Sequence, residues 1–170
     1  YIIENPNLQG GWAPVFEEIV DDQLEIIGSV PKDLNGLYVR NGPSPQFTPK
    51  GKYHWFDGDG MLHAVRFENG RVEYKNRWVV TDGLVADREA GTSRLPGLKG
   101  RMPEGALPDD ALKNTSNTDV KFHNGRLLSM WYRGGAVYQV NAQTLQTQGK
   151  MEPDPRLVGL QISAHSRVDE

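Results

Sequence analysis

The sequence of 170 residues predicts an all-β fold. Three observations carry that expectation. First, 19 Gly and 11 Pro punctuate a chain that is only 37% hydrophobic, a composition of turns and short elements. Second, runs with a period of two recur along the sequence. Third, two of these runs turn back at Asn-Gly, the strongest short-range hairpin signal. In chain order, residues 24–30 are strand-like but alternate imperfectly, and Pro31 to Gly36 supply a turn. A strand restarts at residues 37–40 and is expected to stop there. Pro43 lacks a donor and Asn41-Gly42 favours positive φ, so a loop should run to about Tyr53. Residues 61–67 and 71–80 form a hairpin around Glu68-Asn69-Gly70, with Leu62, Ala64 and Arg66 alternating against His63, Val65 and Phe67. Residues 81–114 are polar and rich in Gly and Pro, without a sustained period. That stretch predicts a long excursion with a short helix, suited to lining an entrance. A second hairpin spans 118–122 and 126–131 around His123-Asn124-Gly125, a third strand covers 136–140, and residues 158–162 read as a short buried strand. This spacing fits a sandwich, a barrel or a propeller, and no 40-residue repeat selects among them.

Charge and composition exclude several classes of function. The 22 acidic and 19 basic residues are interspersed for a net charge of -3, so no positive stripe exists for phosphates and nucleic acid is not an expected partner. With no cysteine there is no disulfide framework and no thiolate chemistry, which fits a reducing, cytoplasmic compartment. No apolar run approaches the roughly 20 residues of a membrane helix, and residues 1–7 lack the basic and apolar regions of a signal peptide. No Gly-x-Ser-x-Gly, phosphate loop or Rossmann glycine set is present. The length is that of one domain. Beginning at Tyr1 and stopping at Glu170, a few residues after a histidine of interest, the chain reads as part of something longer.

Four histidines are the candidates for metal or proton chemistry. His165 follows an apolar run and two small residues, so it is expected to project from a strand end toward an interior. Neutral imidazole suits iron, copper and zinc, but no partner stands at ligand spacing nearby, and an ordinary half-buried histidine is the plainer reading. His54 is expected to be packed or hydrogen bonded in a loop. His63 should anchor a strand through a buried hydrogen bond, and His123 should be solvated in a turn. Asp57-Gly58-Asp59-Gly60 lacks the further acids of a calcium loop, so its carboxylates are expected to cap backbone N–H groups. Asn114-Thr115-Ser116 fits a glycosylation acceptor but has no secretory context.

The segments Leu37-Tyr38-Val39-Arg40-Asn41-Gly42-Pro43, Phe56-Asp57-Gly58-Asp59-Gly60-Met61-Leu62-His63, Asn114-Thr115-Ser116-Asn117-Thr118 and Ser163-Ala164-His165 occur in that order. Together they resemble the opening third of carotenoid cleavage oxygenases, a match that covers nearly the whole chain. The resemblance implies that residues 1–170 are the N-terminal segment of a single seven-bladed β-propeller domain, incomplete as given. It further implies a non-haem Fe(2+) held by four histidines, which with O2 splits an alkene of a carotenoid, apocarotenoid or stilbene-like substrate into two carbonyl products. His165 falls on the first iron histidine. Thr118 falls on a threonine that narrows access to the metal, although it also suits an ordinary β-branched strand position. Trp131 falls on a tryptophan of the substrate tunnel.

The implied partners are O2, a lipophilic conjugated alkene and the remainder of the propeller, in the same or another chain. The lipophilic substrate also implies peripheral membrane contact, with residues 83–108 as an entrance that is not clearly apolar. Two departures stand out. Trp131-Tyr132-Arg133-Gly134-Gly135 replaces Trp-Glu-Gly-Gly, whose glutamate orients an iron ligand, and Ser166-Arg167 replaces Pro-Lys. The alternatives are a non-catalytic propeller relative that binds a lipophilic ligand, and a folding remnant whose open strand edges invite association.

Overall fold

A computed structural model describes residues 5–48, 50–101, 112–152, 154–157 and 160–167. Its elements are β1 (Val20–Asp21), β2 (Gly36–Pro43), β3 (Gly60–Glu68), β4 (Arg71–Trp78), α1 (Asp82–Ala90), β5 (Asp119–His123), β6 (Arg126–Met130), β7 (Tyr138–Val140) and β8 (Thr147–Lys150), with four short 3-10 turns. They build two antiparallel four-stranded sheets, ordered β1-β4-β3-β2 and β5-β6-β7-β8.

Both expected hairpins form where Asn-Gly places them. Asn69 and Gly70 take φ of 52° and 80°, and Asn124 and Gly125 take 48° and 75°, the paired left-handed conformations whose twist matches the flanking strands. The period of two then decides what is buried. Leu62 and Ala64 of β3 face the second sheet and join Val79, Leu127, Tyr138, Val140 and Leu145 in one buried cluster, while Leu37 and Val39 of β2 pack against it. Each large side chain withdrawn from water there contributes on the order of 1.5–3 kcal/mol.

A polar seam fixes the same junction. The buried Ser116 and Ser129 hydroxyls lie 2.8 Å apart, and the Asn41 amide of β2 donates to Ser116 O (2.8 Å), Ser129 Oγ (3.0 Å) and Asp119 O (3.2 Å). Gly60 is required at this seam. Its N–H donates to Thr115 O at 2.8 Å, and a Cβ there would stand 2.4 Å from Ser116 O. The expected helix is α1, capped by Thr81 Oγ1 on Leu84 N (3.1 Å) and ended by Gly91 at φ 64°. Residues 102–111, the remainder of the expected excursion and entrance, lie outside the described residues.

Several expectations are corrected. Residues 24–30 form no strand: Gly28 sits at φ 94°, Ile27 is 95% exposed, and only Val20–Asp21 reaches β4. β2 does not stop at Arg40 but continues through Asn41 and Gly42 to Pro43, which pairs with Gly60. Neither Asn41 nor Gly42 adopts positive φ, and the donor missing from Pro43 falls at the strand end, where Ser44 N resumes the ladder to Asp59 O at 2.7 Å. β8 was not anticipated, because Thr147-Gln148-Gly149-Lys150 carries no apolar alternation; backbone pairing to β7, bulged at Gln139/Val140, makes it a strand. Residues 160–162 are irregular, and Val158 and Gly159 lie outside the described residues.

Candidate active site

The residues singled out from sequence meet at one end of the second sheet. Thr118 N donates to Met130 O at 3.1 Å, extending the β5–β6 ladder by one residue. Its hydroxyl is doubly engaged, donating to Asn117 Oδ1 (3.0 Å) and accepting from Tyr132 N (3.1 Å). Asn117 is buried and donates in turn to Gly58 O (2.7 Å) and Phe56 O (3.0 Å), which ties this end to the Asp57-Gly58-Asp59 turn of the first sheet. The threonine therefore has one hydroxyl orientation, and its methyl is fixed as a consequence.

The segment 163–166 docks onto the same end through main-chain contacts. Ala164 N donates to Trp131 O at 3.0 Å, Ser163 Oγ to Tyr132 O at 2.9 Å, and His165 N to Asp119 Oδ2 at 3.0 Å. Gly134 N also donates to Trp131 O at 3.1 Å, closing the turn after β6. Thr118, Trp131 and His165 are thus held together by a hydrogen-bonded knot. His165 itself differs from expectation. It lies on irregular backbone at φ 62°, not at a strand end, and its side chain is 75% exposed, with Nδ1 3.8 Å from Asp119 Oδ2.

Asp119 is a residue of this junction that sequence reasoning missed. Its two oxygens serve Val120 N (2.9 Å) and the His165 backbone, and among the described residues it is the carboxylate within 4 Å of this imidazole. Only its place after Thr118 could have drawn attention to it. At the position of the missing glutamate, Tyr132 supplies backbone atoms to Thr118 and Ser163, while its ring meets Phe56 (centroids 4.9 Å) and Trp131 (5.4 Å). Burial pushes the Tyr132 phenol up, partly offset by Arg133 and reinforced by Asp57.

Behind the site lies a buried charge cluster that the sequence did not reveal. Lys113 Nζ sits 2.5 Å from Asp59 Oδ1 and 2.7 Å from Asp87 Oδ2, all three side chains being largely buried. Burial alone would lower the lysine pKa, but the two carboxylates outweigh it and the net direction is upward. The capping role expected of the aspartates also holds: Asp57 accepts from His54 N (2.9 Å) and Leu98 N (2.8 Å), and Asp59 from Gln46 N (3.2 Å).

The other histidines behave as expected. His54 Nδ1 accepts from Phe56 N at 3.2 Å, His63 Nδ1 meets Tyr74 OH at 2.7 Å, and His123 is exposed. Asn114 is half-buried, its amide donating to Ala136 O at 3.1 Å and accepting from Ser116 N at 3.0 Å, a structural role for this segment. Among the described residues no group of three or more His, Cys, Asp or Glu is placed to hold a metal ion. His165 contributes one exposed imidazole beside a carboxylate, a donor type that suits a metal ion. A complete centre needs ligands from elsewhere.

The site therefore consists of two antiparallel four-stranded sheets with a histidine-bearing segment docked on one end of the second. The chain belongs to the carotenoid cleavage oxygenase family: the family model described as retinal pigment epithelial membrane protein matches residues 12–170. The chain is similar to the probable carotenoid cleavage dioxygenase 4, chloroplastic, of Arabidopsis thaliana, at 33% identity over 95% of this chain and 30% of that protein. It is likewise similar to the isoeugenol monooxygenase of Pseudomonas nitroreducens, at 33% identity over 97% of this chain and 34% of that one. Among solved structures, Pseudomonas brassicacearum lignostilbene dioxygenase superposes with a TM-score of 0.74 at 31% identity, covering 87% of this chain and 31% of that one. Cobalt-substituted Synechocystis apocarotenoid oxygenase does so with a TM-score of 0.71 at 32% identity, covering 88% and 32%. The chain spans about a third of the length of the curated relatives it matches. Its two sheets are accordingly blades of an incomplete propeller.

Proposed function

We propose that this chain is the N-terminal segment of a non-haem Fe(II) dioxygenase, which with O2 cleaves a double bond of a carotenoid, apocarotenoid or stilbene-like substrate into two carbonyl products. The observation that carries the reading is the knot itself, in which Thr118, Trp131 and His165 occupy one end of the second sheet of a family member. When bound, a ferrous ion supplies the oxygen chemistry. His165 provides one of its imidazoles, with Asp119 fixing the main chain beneath it. Thr118 narrows the approach with a methyl held by two hydrogen bonds, and Trp131 presents a buried aromatic wall to the substrate. The cobalt-substituted relative supports a metal in this fold. A second reading, a non-catalytic relative that binds a lipophilic molecule, is favoured by Tyr132-Arg133 standing where the family often has its orienting glutamate.

Iron content and oxygen uptake, measured on one anaerobically purified preparation of the full-length protein and of His165→Ala, separate these readings. Near-stoichiometric iron with uptake on a conjugated alkene is expected, together with a loss of at least about tenfold in bound iron in the variant. Iron retained unchanged by His165→Ala would remove His165 from the ligand set. Ligand binding without any oxygen uptake would leave the non-catalytic reading.

A further inference from the structure

The His165 side chain is 75% exposed, so packing does not aim it. Its direction has to come from the main chain and from the group that faces the ring. The main chain is fixed. Its φ of 62° is a left-handed conformation uncommon for a residue with a Cβ, and such a residue persists only where its surroundings over-determine it. Here Ala164 N donates to Trp131 O at 3.0 Å, and His165 N donates to Asp119 Oδ2 at 3.0 Å.

Asp119 is itself held in place. Its side chain is 17% exposed, and its other oxygen accepts from Val120 N at 2.9 Å. Lys121 Nζ, 3.9 Å away on a side chain 40% exposed, forms only a loose surface pair with it. The oxygen that takes the His165 N–H also lies 3.8 Å from His165 Nδ1, and among the described residues no other ion pair or hydrogen bond reaches this ring. That separation exceeds a hydrogen bond, and a small rotation of an exposed ring closes it. Other acids at this end are committed: Asp57 accepts from His54 N and Leu98 N, while Asp59 and Asp87 hold Lys113.

We infer that Asp119 is the positioning residue of His165: one carboxylate oxygen holds the main-chain N–H and faces Nδ1, so the ring keeps its hydrogen on Nδ1 and offers Nε2 as the ligating nitrogen. The inference rests on the oxygenase reading and goes beyond it by naming the tautomer and the residue that sets it. A neutral imidazole presents one nitrogen to a metal, and the partner of the hydrogen on the other nitrogen decides which. Tyr132 stands where the family often has an orienting glutamate, and Asp119 is the carboxylate that this chain brings to His165.

The test uses the full-length protein, anaerobic and freed of metal, with nitrogen-15-labelled histidine. At about pH 8.5, above the ordinary imidazole range, nitrogen chemical shifts report which ring nitrogen carries the hydrogen. His165→Gln, at an exposed position, assigns the resonance. The Nδ1–H form is expected at His165, and Asp119→Ala should return the ring to a mixture of both forms. Addition of Co(II) alone, followed by its visible absorption, should show Asp119→Ala binding at least about tenfold more weakly than the wild-type protein. A tautomer mixture in the wild-type protein, or unchanged Co(II) affinity in Asp119→Ala with unchanged circular dichroism, would overturn the assignment. If Asp119→Ala does not fold, the wild-type tautomer decides, because an aspartate that only anchors the main chain leaves the ring unbiased. The oxygenase reading fails separately. Wild-type protein that takes up neither Co(II) nor iron defeats that reading while the tautomer still judges Asp119, and oxygen uptake by a protein with mixed tautomers overturns the Asp119 assignment alone.

Discussion

Asn41 shows how one side chain can specify a junction. Its two amide hydrogens are shared among Ser116 O, Ser129 Oγ and Asp119 O, so the nitrogen end must face the seam. An oxygen in that place would meet two carbonyls. Asn41→Ala is therefore expected to destabilise by about 1–3 kcal/mol, and Asn41→Asp by more, because a carboxylate would oppose backbone acceptors in a buried setting. Urea unfolding of the two variants checks the order, and an aspartate variant as stable as the alanine one would refute this account of the seam. Lys113 acts similarly between Asp59 and Asp87, where its loss would leave two buried carboxylates without a cation.

At the scale of elements, the β3–β4 pair carries a titratable contact. His63 sits opposite Asn76 in register, and its Nδ1 meets Tyr74 OH at 2.7 Å. Burial, and secondarily Arg40, hold its pKa below the ordinary value of 6.5. The unfolded chain then binds the proton more readily than the folded one, so stability is fully present above pH 6.5 and is lost as pH falls through the folded-state value. Thermal melts from pH 7.5 down to pH 4.5 should show His63→Gln losing less stability than the wild-type protein; parallel curves would remove His63 from the acid response. The turns that join these strands were legible from Asn-Gly alone, since positive φ is a local requirement. β8 was not, since backbone pairing to β7 selects no particular side chains.

For the molecule as a whole, the two sheets share one apolar core, so they should lose structure together. Leu145 tests this. It is 1% exposed, lies in the connection between β7 and β8 at φ 59°, and packs in the cluster that includes Leu62 and Ala64 of the first sheet. Leu145→Ala keeps the strained backbone and removes the packing, so a loss of about 2–5 kcal/mol is expected. Far-ultraviolet circular dichroism and the fluorescence of Trp78, on the first sheet, read in a background with Trp12, Trp55 and Trp131 replaced by phenylalanine, should report the same shifted midpoint. A midpoint that moves in one signal alone would mean that the sheets unfold separately.

The sequence by itself determined the all-β class, both Asn-Gly hairpins, the short helix and the family to which the chain belongs, because turn chemistry, alternation and ordered motifs are local properties. Thr118, Trp131 and His165 could be named from those motifs, but their meeting place could not. The contacts that join them, Asp119 to the His165 backbone and Trp131 O to Ala164 N, use main-chain atoms that every residue possesses. The Lys113 cluster and the Asn41 seam are likewise invisible in sequence. Their members are scattered along the chain, and only packing around a shared core brings them within reach of one another.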